Sequence, residues 1–366
     1  MKINVSKATF SSIVGIGQKV RKASKESGTE YLELNRGVNA VTEIDLSDII
    51  KTIDFNSKEL QVYSPNLGIE SLRKAILDEY FPSVPKDMTN RVAVTPGGMP
   101  ALDLVIQILN VENICFPKFY WGSYSKMATI RQKSFSFYEN LETIDLSKLD
   151  DSTCIFICDP NNPTGIKMDD EILFRKIEEI NSTGAIIIFD SPYRKLFYED
   201  NFFDKLTAFD NLIITESFSK WIGLSGLRLG FIYSSNREFN DELNIRILYE
   251  FNGVSSASQM IVDRVISTPE GKMAHSTFRK TTTDNIRKNI KYLHEKNLLV
   301  TEIYGDRTPV GIFAVINRSE DFLFNKRIGA VGLDKFVYHD KDTWSSYSRI
   351  CVSVDHKKFQ DFISMI

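Results

Sequence analysis

The chain has 366 residues, 42% hydrophobic and 25% charged, a balance that suits a globular protein with enough apolar material for a large core and two domains. A formal net charge of -3 argues against a general nucleic-acid or acidic-membrane surface and leaves small molecules as the expected partners. No apolar run nears the ~20 residues of a membrane helix, and the Lys2 to Ile16 start lacks a secretory pattern, so a cytoplasmic location is expected.

Taken in chain order, Phe10 to Lys25 has the spacing of a modest amphipathic helix, and Tyr31 to Asn39 is an extended segment broken at Gly37. Turn residues around Ser64 to Gly68 give way to apolar spacing at Leu72, Ala75, Ile76 and Tyr80, which predicts a loop entering a helix. Arg91 to Thr95 reads as a short strand, and Pro96-Gly97-Gly98-Met99 turns from it into a helix ending near Leu109. A strand, a glycine turn and a helix N-terminus present free backbone N–H groups and a favourable dipole to an anion such as phosphate. Asn113 to Phe116 is the next strand, and the aromatic-rich Phe119 to Tyr124 that follows is explained equally well by core packing.

Cys154 to Cys158 is a continuous apolar strand of the kind buried on both faces of a parallel sheet. The turn formers Asp159 to Gly165 come next and offer the Asn162 amide at the strand's C-terminal end. Helical spacing from Asp169 to Asn181 leads to the buried strand Ala185 to Phe189, which ends on Asp190. A carboxylate at the tip of an apolar strand is costly unless paired, so Asp190 calls for a cation. This alternation predicts a parallel α/β sheet with ligands at the C-terminal ends of its strands. Helices are expected over Glu238 to Tyr249, Ser256 to Ser267 and Phe278 to Leu298. Strands over Gly311 to Ile316, Phe336 to His339 and Arg349 to Val354, with a terminal helix, would build a smaller unit. The cysteines Cys115, Cys154, Cys158 and Cys351 fall in strand-like apolar runs and read as reduced core thiols, with no metal site. His275, His294, His339 and His356 form no catalytic constellation.

The stretch from Glu216 to Gly230 places the Ser217 and Ser219 hydroxyls, the Lys220 amine and the Arg228 guanidinium among glycines that let backbone approach a ligand. A loop lysine is ordinarily a solvated charge. Lys220 instead follows the apolar run Leu212 to Thr215 and sits among small hydroxyl residues. These residues resemble the S-x-S-K-x-x-G-L-x-G-x-R-x-G signature of fold-type I pyridoxal-phosphate enzymes, the class I/II aminotransferases of the aspartate aminotransferase superfamily.

The resemblance runs from about Tyr31 to the C-terminus. Asn162-Pro163-Thr164-Gly165 resembles the family's N-P-x-G, which implies that Asn162 meets the cofactor's phenolic oxygen. Asp190-Ser191-Pro192-Tyr193 resembles D-x-x-Y, which implies Asp190 on the ring nitrogen and Tyr193 on the same oxygen. Ser348 to Ser353 resembles the R-I-x-x-S strand, which implies a bidentate grip of Arg349 on the substrate α-carboxylate. Trp121-Gly122-Ser123-Tyr124 looks like the aspartate-type W-x-N-H and favours Trp121 as the ring stacked on the cofactor, with Phe119 the alternative. The phosphate would be held by Ser217, Ser219, Arg228 and the backbone of Gly97, Gly98 and Met99, where the family often places a hydroxyl. Tyr63 to Gly68 resembles Y-x-x-x-x-G, whose tyrosine reaches the neighbouring subunit's phosphate, so a homodimer is implied. Gly37 and Asn39 lie on the segment that closes over substrate in the family and are substrate-side candidates, although a strand ending in a turn accounts for them as well.

The implied fold is α/β: a large domain over 46–285, whose mostly parallel sheet is sandwiched by helices, and a smaller α+β domain built from 1–45 and 286–366. The implied chemistry is transamination between an L-amino acid and a 2-oxo acid, with pyridoxal 5'-phosphate held by Lys220 as a Schiff base and Lys220 later acting as base at Cα. An amino-acid oxidase or a β-lyase is the alternative on the same fold. Dicarboxylate-specific relatives carry an arginine where this chain has Glu250 to Ser255, so a donor other than aspartate or glutamate is expected.

Overall fold

Apolar strands alternate with amphipathic helices along the computed structural model, which describes residues 1–3 and 5–366. Helix Ser12–Ser27 leads into a two-residue strand, β1 (Leu32–Glu33). The central sheet is laid down by β2 (Val92–Thr95), β3 (Asn113–Pro117), β4 (Phe135–Tyr138), β5 (Thr153–Cys158), β6 (Ile186–Asp190), β7 (Leu212–Ser217) and β8 (Gly230–Ser234). The C-terminal part adds β9 (Phe313–Ile316), β10 (Ile328–Gly329), β11 (Val331–Gly332) and β12 (Ser348–Cys351).

The central sheet has seven strands in the order β2-β8-β7-β6-β5-β3-β4, with β8 antiparallel to both its neighbours and the others parallel. Side chains alternate across it, so Ile155 and Ile157 of β5 enter a core with Leu72, Ile76 and Leu77, while Cys154 and Phe156 enter another with Ala101 and Val105. That double burial explains why β5 and β7 are buried along their whole length and read as unbroken apolar runs. Truncating one such isoleucine to alanine would cost about 2–5 kcal/mol. The C-terminal ends of β2, β5, β6 and β7 open on one edge of the sheet, where ligands bind in such folds.

A three-stranded antiparallel sheet, β11-β12-β9, packs with helices Pro269–Glu295 and His356–Ile363 around Ile286, Ile290, Ile350 and Phe359. The N-terminal segment joins this part of the chain: β1 pairs with β10 and Ala40 bridges to Val354. Cys115, Cys154, Cys158 and Cys351 are all buried free thiols. No helix among the described residues is long and apolar enough to cross a membrane.

Two expectations differ from the structure. The long helix starts at Pro269 rather than Phe278, because the Thr268 hydroxyl accepts the Gly271 N–H and the proline occupies the first turn, where its missing N–H costs nothing. The strand expected over Phe336 to His339 is absent: Leu333–Phe336 is a 3-10 turn, and Tyr338 stacks on Phe137 with centroids 4.8 Å apart. Aromatic packing, not strand pairing, accounts for that apolar run.

Candidate active site

A cavity of about 330 Å³ opens at the C-terminal edge of the central sheet, within the range of small-molecule sites. β7 ends on Ser217, whose hydroxyl accepts the Ser219 N–H at 3.3 Å and caps the single turn Phe218–Trp221. This cap turns Lys220 into the cavity, where its amine donates to the Gly37 carbonyl. Desolvation brings the Lys220 pKa down to about 8, reinforced by the Arg228, Arg36 and Arg349 charges and opposed by Cys351.

Asp190, the last residue of β6, is buried. One carboxylate oxygen accepts the Tyr124 hydroxyl and the other accepts Thr215 Oγ1 at 3.2 Å. Burial pushes its pKa up to about 6 against those two hydrogen bonds, and no cationic side chain pairs with it among the described residues. The turn after the neighbouring strand β5 supplies Asn162, whose Nδ2 donates to the Tyr193 hydroxyl at 3.3 Å. Burial raises the Tyr193 pKa well above its ordinary value, so the phenol stays protonated.

Arg349 reaches in from β12 and is 1% exposed. It donates to the Asn162 amide oxygen at 3.5 Å and to the Asn35 carbonyl, and its guanidinium lies 4.2 Å from the Phe313 ring centroid. Its Nε is buried without a partner among the described residues and desolvation lowers its pKa to about 10, the condition of a buried cation with no anion among them.

At the other end of the cavity, helix Gly98–Ile108 begins after Gly97, which has φ 107°. A Cβ on Gly97 would come within 2.8 Å of Arg228 Nη2, and φ 107° is a conformation that side chains rarely adopt, so glycine suits this turn. Gly98, Met99, Ser217, Ser219 and Arg228 line this end, and Arg228 is itself held in a left-handed conformation with φ 53°. Backbone N–H groups, hydroxyls and a guanidinium converge there on space suited to an anion.

The aromatic alternatives separate cleanly. Trp121 lines the cavity, whereas Phe119 packs edge-on against Trp344 outside it, with centroids 4.9 Å apart. Gly37 lies in the cavity wall, but Asn39 is turned away: its amide donates to the Thr42 carbonyl at 2.7 Å and its oxygen accepts the Ser353 hydroxyl at 3.0 Å. Tyr63 is 86% exposed and does not reach this chain's own cavity.

Sequence reasoning missed Tyr124, Thr215, Arg36 and Phe313. Thr215 was visible as the polar break in the run Leu212 to Ile214, and Tyr124 as the last member of the Trp121 to Tyr124 motif. Arg36 and Phe313 gave no signal, because their places follow from packing between distant segments.

The family model described as aminotransferase class I and II matches residues 29–366. Similar proteins include a histidinol-phosphate aminotransferase of Flavobacterium psychrophilum, 26% identical over 181 residues, 47% of this chain and 51% of the relative. A probable aspartate aminotransferase of Methanocaldococcus jannaschii is 31% identical over 197 residues, 50% of this chain and 51% of the relative. The chloroplastic LL-diaminopimelate aminotransferase of Arabidopsis thaliana is 36% identical over 137 residues, 35% of this chain and 30% of the relative. The chain therefore spans about half the length of the first two relatives and less of the third. Among solved structures, the Thermus thermophilus aspartate aminotransferase with maleate has a TM-score of 0.82 at 15% identity, covering 100% of this chain and 98% of that one. An aminotransferase from Mycobacterium tuberculosis has a TM-score of 0.84 at 14% identity, covering 100% and 97%.

Proposed function

This chain belongs to the class I and II aminotransferases, a family that uses pyridoxal 5'-phosphate, and from that membership we propose that it moves an amino group between an L-amino acid and a 2-oxo acid. One observation carries the reading. A lysine with its pKa brought to about 8 faces, in one cavity, a buried carboxylate without a cation and a buried guanidinium without an anion among the described residues.

The donor set fits the cofactor. Asp190 would pair with a protonated ring nitrogen, Asn162 and Tyr193 would hydrogen-bond the ring oxygen, and Trp121 would cover the ring face. The Gly97 to Met99 turn, Ser217, Ser219 and Arg228 would hold the phosphate, completed in a homodimer by Tyr63 of the partner subunit. When bound, the cofactor supplies an electron sink for the bond broken at the substrate Cα.

The chain's own residues do the rest. Lys220 would hold the cofactor, and its amine, with its pKa brought down to about 8, would be the base that takes the Cα proton. Arg349 orients the substrate through its α-carboxylate, and its burial strengthens that pairing by excluding water. In the same reading, 46–285 carries the cofactor, while 1–45 and 286–366 carry the substrate-side groups around Gly37 and Arg349.

The absence of arginine from Glu250 to Ser255 supports a donor other than a dicarboxylic amino acid. Arg36 favours a second reading: it lines the cavity and its guanidinium has no partner among the described residues, so it could take a distal carboxylate. A donor panel with 2-oxoglutarate separates the two, because rapid aspartate turnover lost on Arg36→Ala would establish the second. The reaction class is tested by mixing the yellow holoenzyme with amino acid under anaerobic conditions. One oxo acid per cofactor with bleaching of the yellow band supports transamination. Ammonia release supports a lyase, and peroxide formed only in air supports an oxidase.

A further inference from the structure

Asp190 is held from two elements at once. Tyr124, in the first turn of helix Ser123–Ile130, donates to one oxygen, and Thr215, on the neighbouring strand β7, donates to the other. Tyr124 is 1% exposed, and its ring is fixed by Phe116 at 5.8 Å, Phe156 at 5.0 Å and Trp121 at 5.6 Å. Its hydroxyl therefore cannot swing away to another partner. The aspartate-type W-x-N-H pattern has a histidine at this place, where this chain has the phenol of Tyr124.

We propose that Tyr124 and Thr215 are positioning residues, a neutral two-point clamp that aims the Asp190 carboxylate into the cavity and keeps the shared proton on the cofactor's ring nitrogen. The inference rests on the cofactor reading given above. A hydrogen bond donated to a carboxylate stabilises its ionised form, so each arm makes Asp190 a weaker base and leaves the proton on the ring. A histidine here would titrate near neutrality and change the local charge, whereas burial keeps the Tyr124 phenol protonated throughout that range. The other groups facing Asp190 are Cys158 across the strand pair, Tyr193 on the following turn and Glu216 on β7. Desolvation raises the pKa of all three, so the Cys158 thiol and the Tyr193 phenol stay neutral at neutral pH, and burial favours the protonated form of Glu216 as well. The clamp thus leaves Asp190 as the anion that answers the ring.

The test uses the holoprotein loaded with cofactor labelled with nitrogen-15 in its ring, read by NMR between pH 6 and 9. Wild type should show a protonated ring nitrogen across the range. Tyr124→Phe, which keeps the ring and deletes the donor, should move the signal toward unprotonated pyridine and weaken cofactor retention by about tenfold, the scale of one lost hydrogen bond to a charge. Thr215→Val removes the second arm while preserving shape, and should shift the signal in the same direction. Tyr124→His should restore the protonated signal at neutral pH and add a new titration near pH 6 to 7. An unchanged signal in both Tyr124→Phe and Thr215→Val would overturn the clamp while leaving the cofactor reading intact. Failure of wild type to bind pyridoxal phosphate would overturn both.

Discussion

The Arg349 guanidinium donates to the Asn162 amide oxygen at 3.5 Å, which joins the proposed substrate grip on β12 to a proposed cofactor contact after β5. The same asparagine donates to Tyr193, so the three residues form one hydrogen-bonded chain across the two sheets. Disturbing one end should be felt at the other.

Arg349→Lys keeps the charge but loses the planar fork and the contact to Asn162. Steady-state kinetics should show kcat/KM lowered roughly 10²- to 10³-fold, about 3–4 kcal/mol, with KM raised for both amino acid and oxo acid. An unchanged KM would place the α-carboxylate elsewhere.

Asp190 links stability to pH in the cofactor-free protein. Its folded pKa of about 6 lies above that of an unfolded aspartate, so folding favours the protonated form. That contribution is complete below about pH 4 and is lost as the pH rises through about 6, a swing of up to ~3 kcal/mol. Urea titrations should therefore show wild-type apoprotein losing more stability than Asp190→Asn between pH 4 and 7. Equal losses would mean that Asp190 is solvated when the cofactor is absent.

Lys220 should be the fast-reacting amine of the apoprotein. With its pKa brought down to about 8 by desolvation, it should react with a small amine-directed acylating reagent with a midpoint near that pH, whereas ordinary lysines titrate near 10.4. Peptide mapping checks the site, and prior addition of pyridoxal phosphate should protect it. Reaction only above pH 10 would contradict the cavity electrostatics.

Gly97→Ala should weaken cofactor binding without unfolding the protein. The new methyl group would meet Arg228 Nη2 at 2.8 Å, and φ 107° disfavours any side chain. Equilibrium dialysis should show the dissociation constant raised about 10- to 100-fold, with the melting temperature lowered by only about a few degrees. An unaltered constant would remove this turn from the phosphate site.

Much of the cavity floor was legible because its groups sit at strand ends inside contiguous motifs: Asn162 after β5, Asp190 ending β6, Lys220 after β7. At these places a local pattern states both the element and the direction of the side chain. What could not be read came from contacts between distant segments. Tyr124 meets Asp190 because β3 and β6 flank β5, and Arg36 enters the cavity because β1 pairs with β10. Only the likeness to W-x-N-H favoured Trp121 over its neighbour Phe119 in the sequence, and the packing of Phe119 on Trp344 is what draws the alternative away from the cavity. Asn39 looked available and is occupied by Thr42 and Ser353, one of them 314 positions away.

The central claim, that Lys220 holds pyridoxal phosphate in the resting protein, is tested most directly by borohydride reduction of the holoprotein followed by peptide mass spectrometry. The account requires one reduced cofactor per chain, fixed as a secondary amine on the peptide carrying Lys220, and none in Lys220→Ala. Cofactor fixed on another lysine, or retained reducibly by Lys220→Ala, would contradict it.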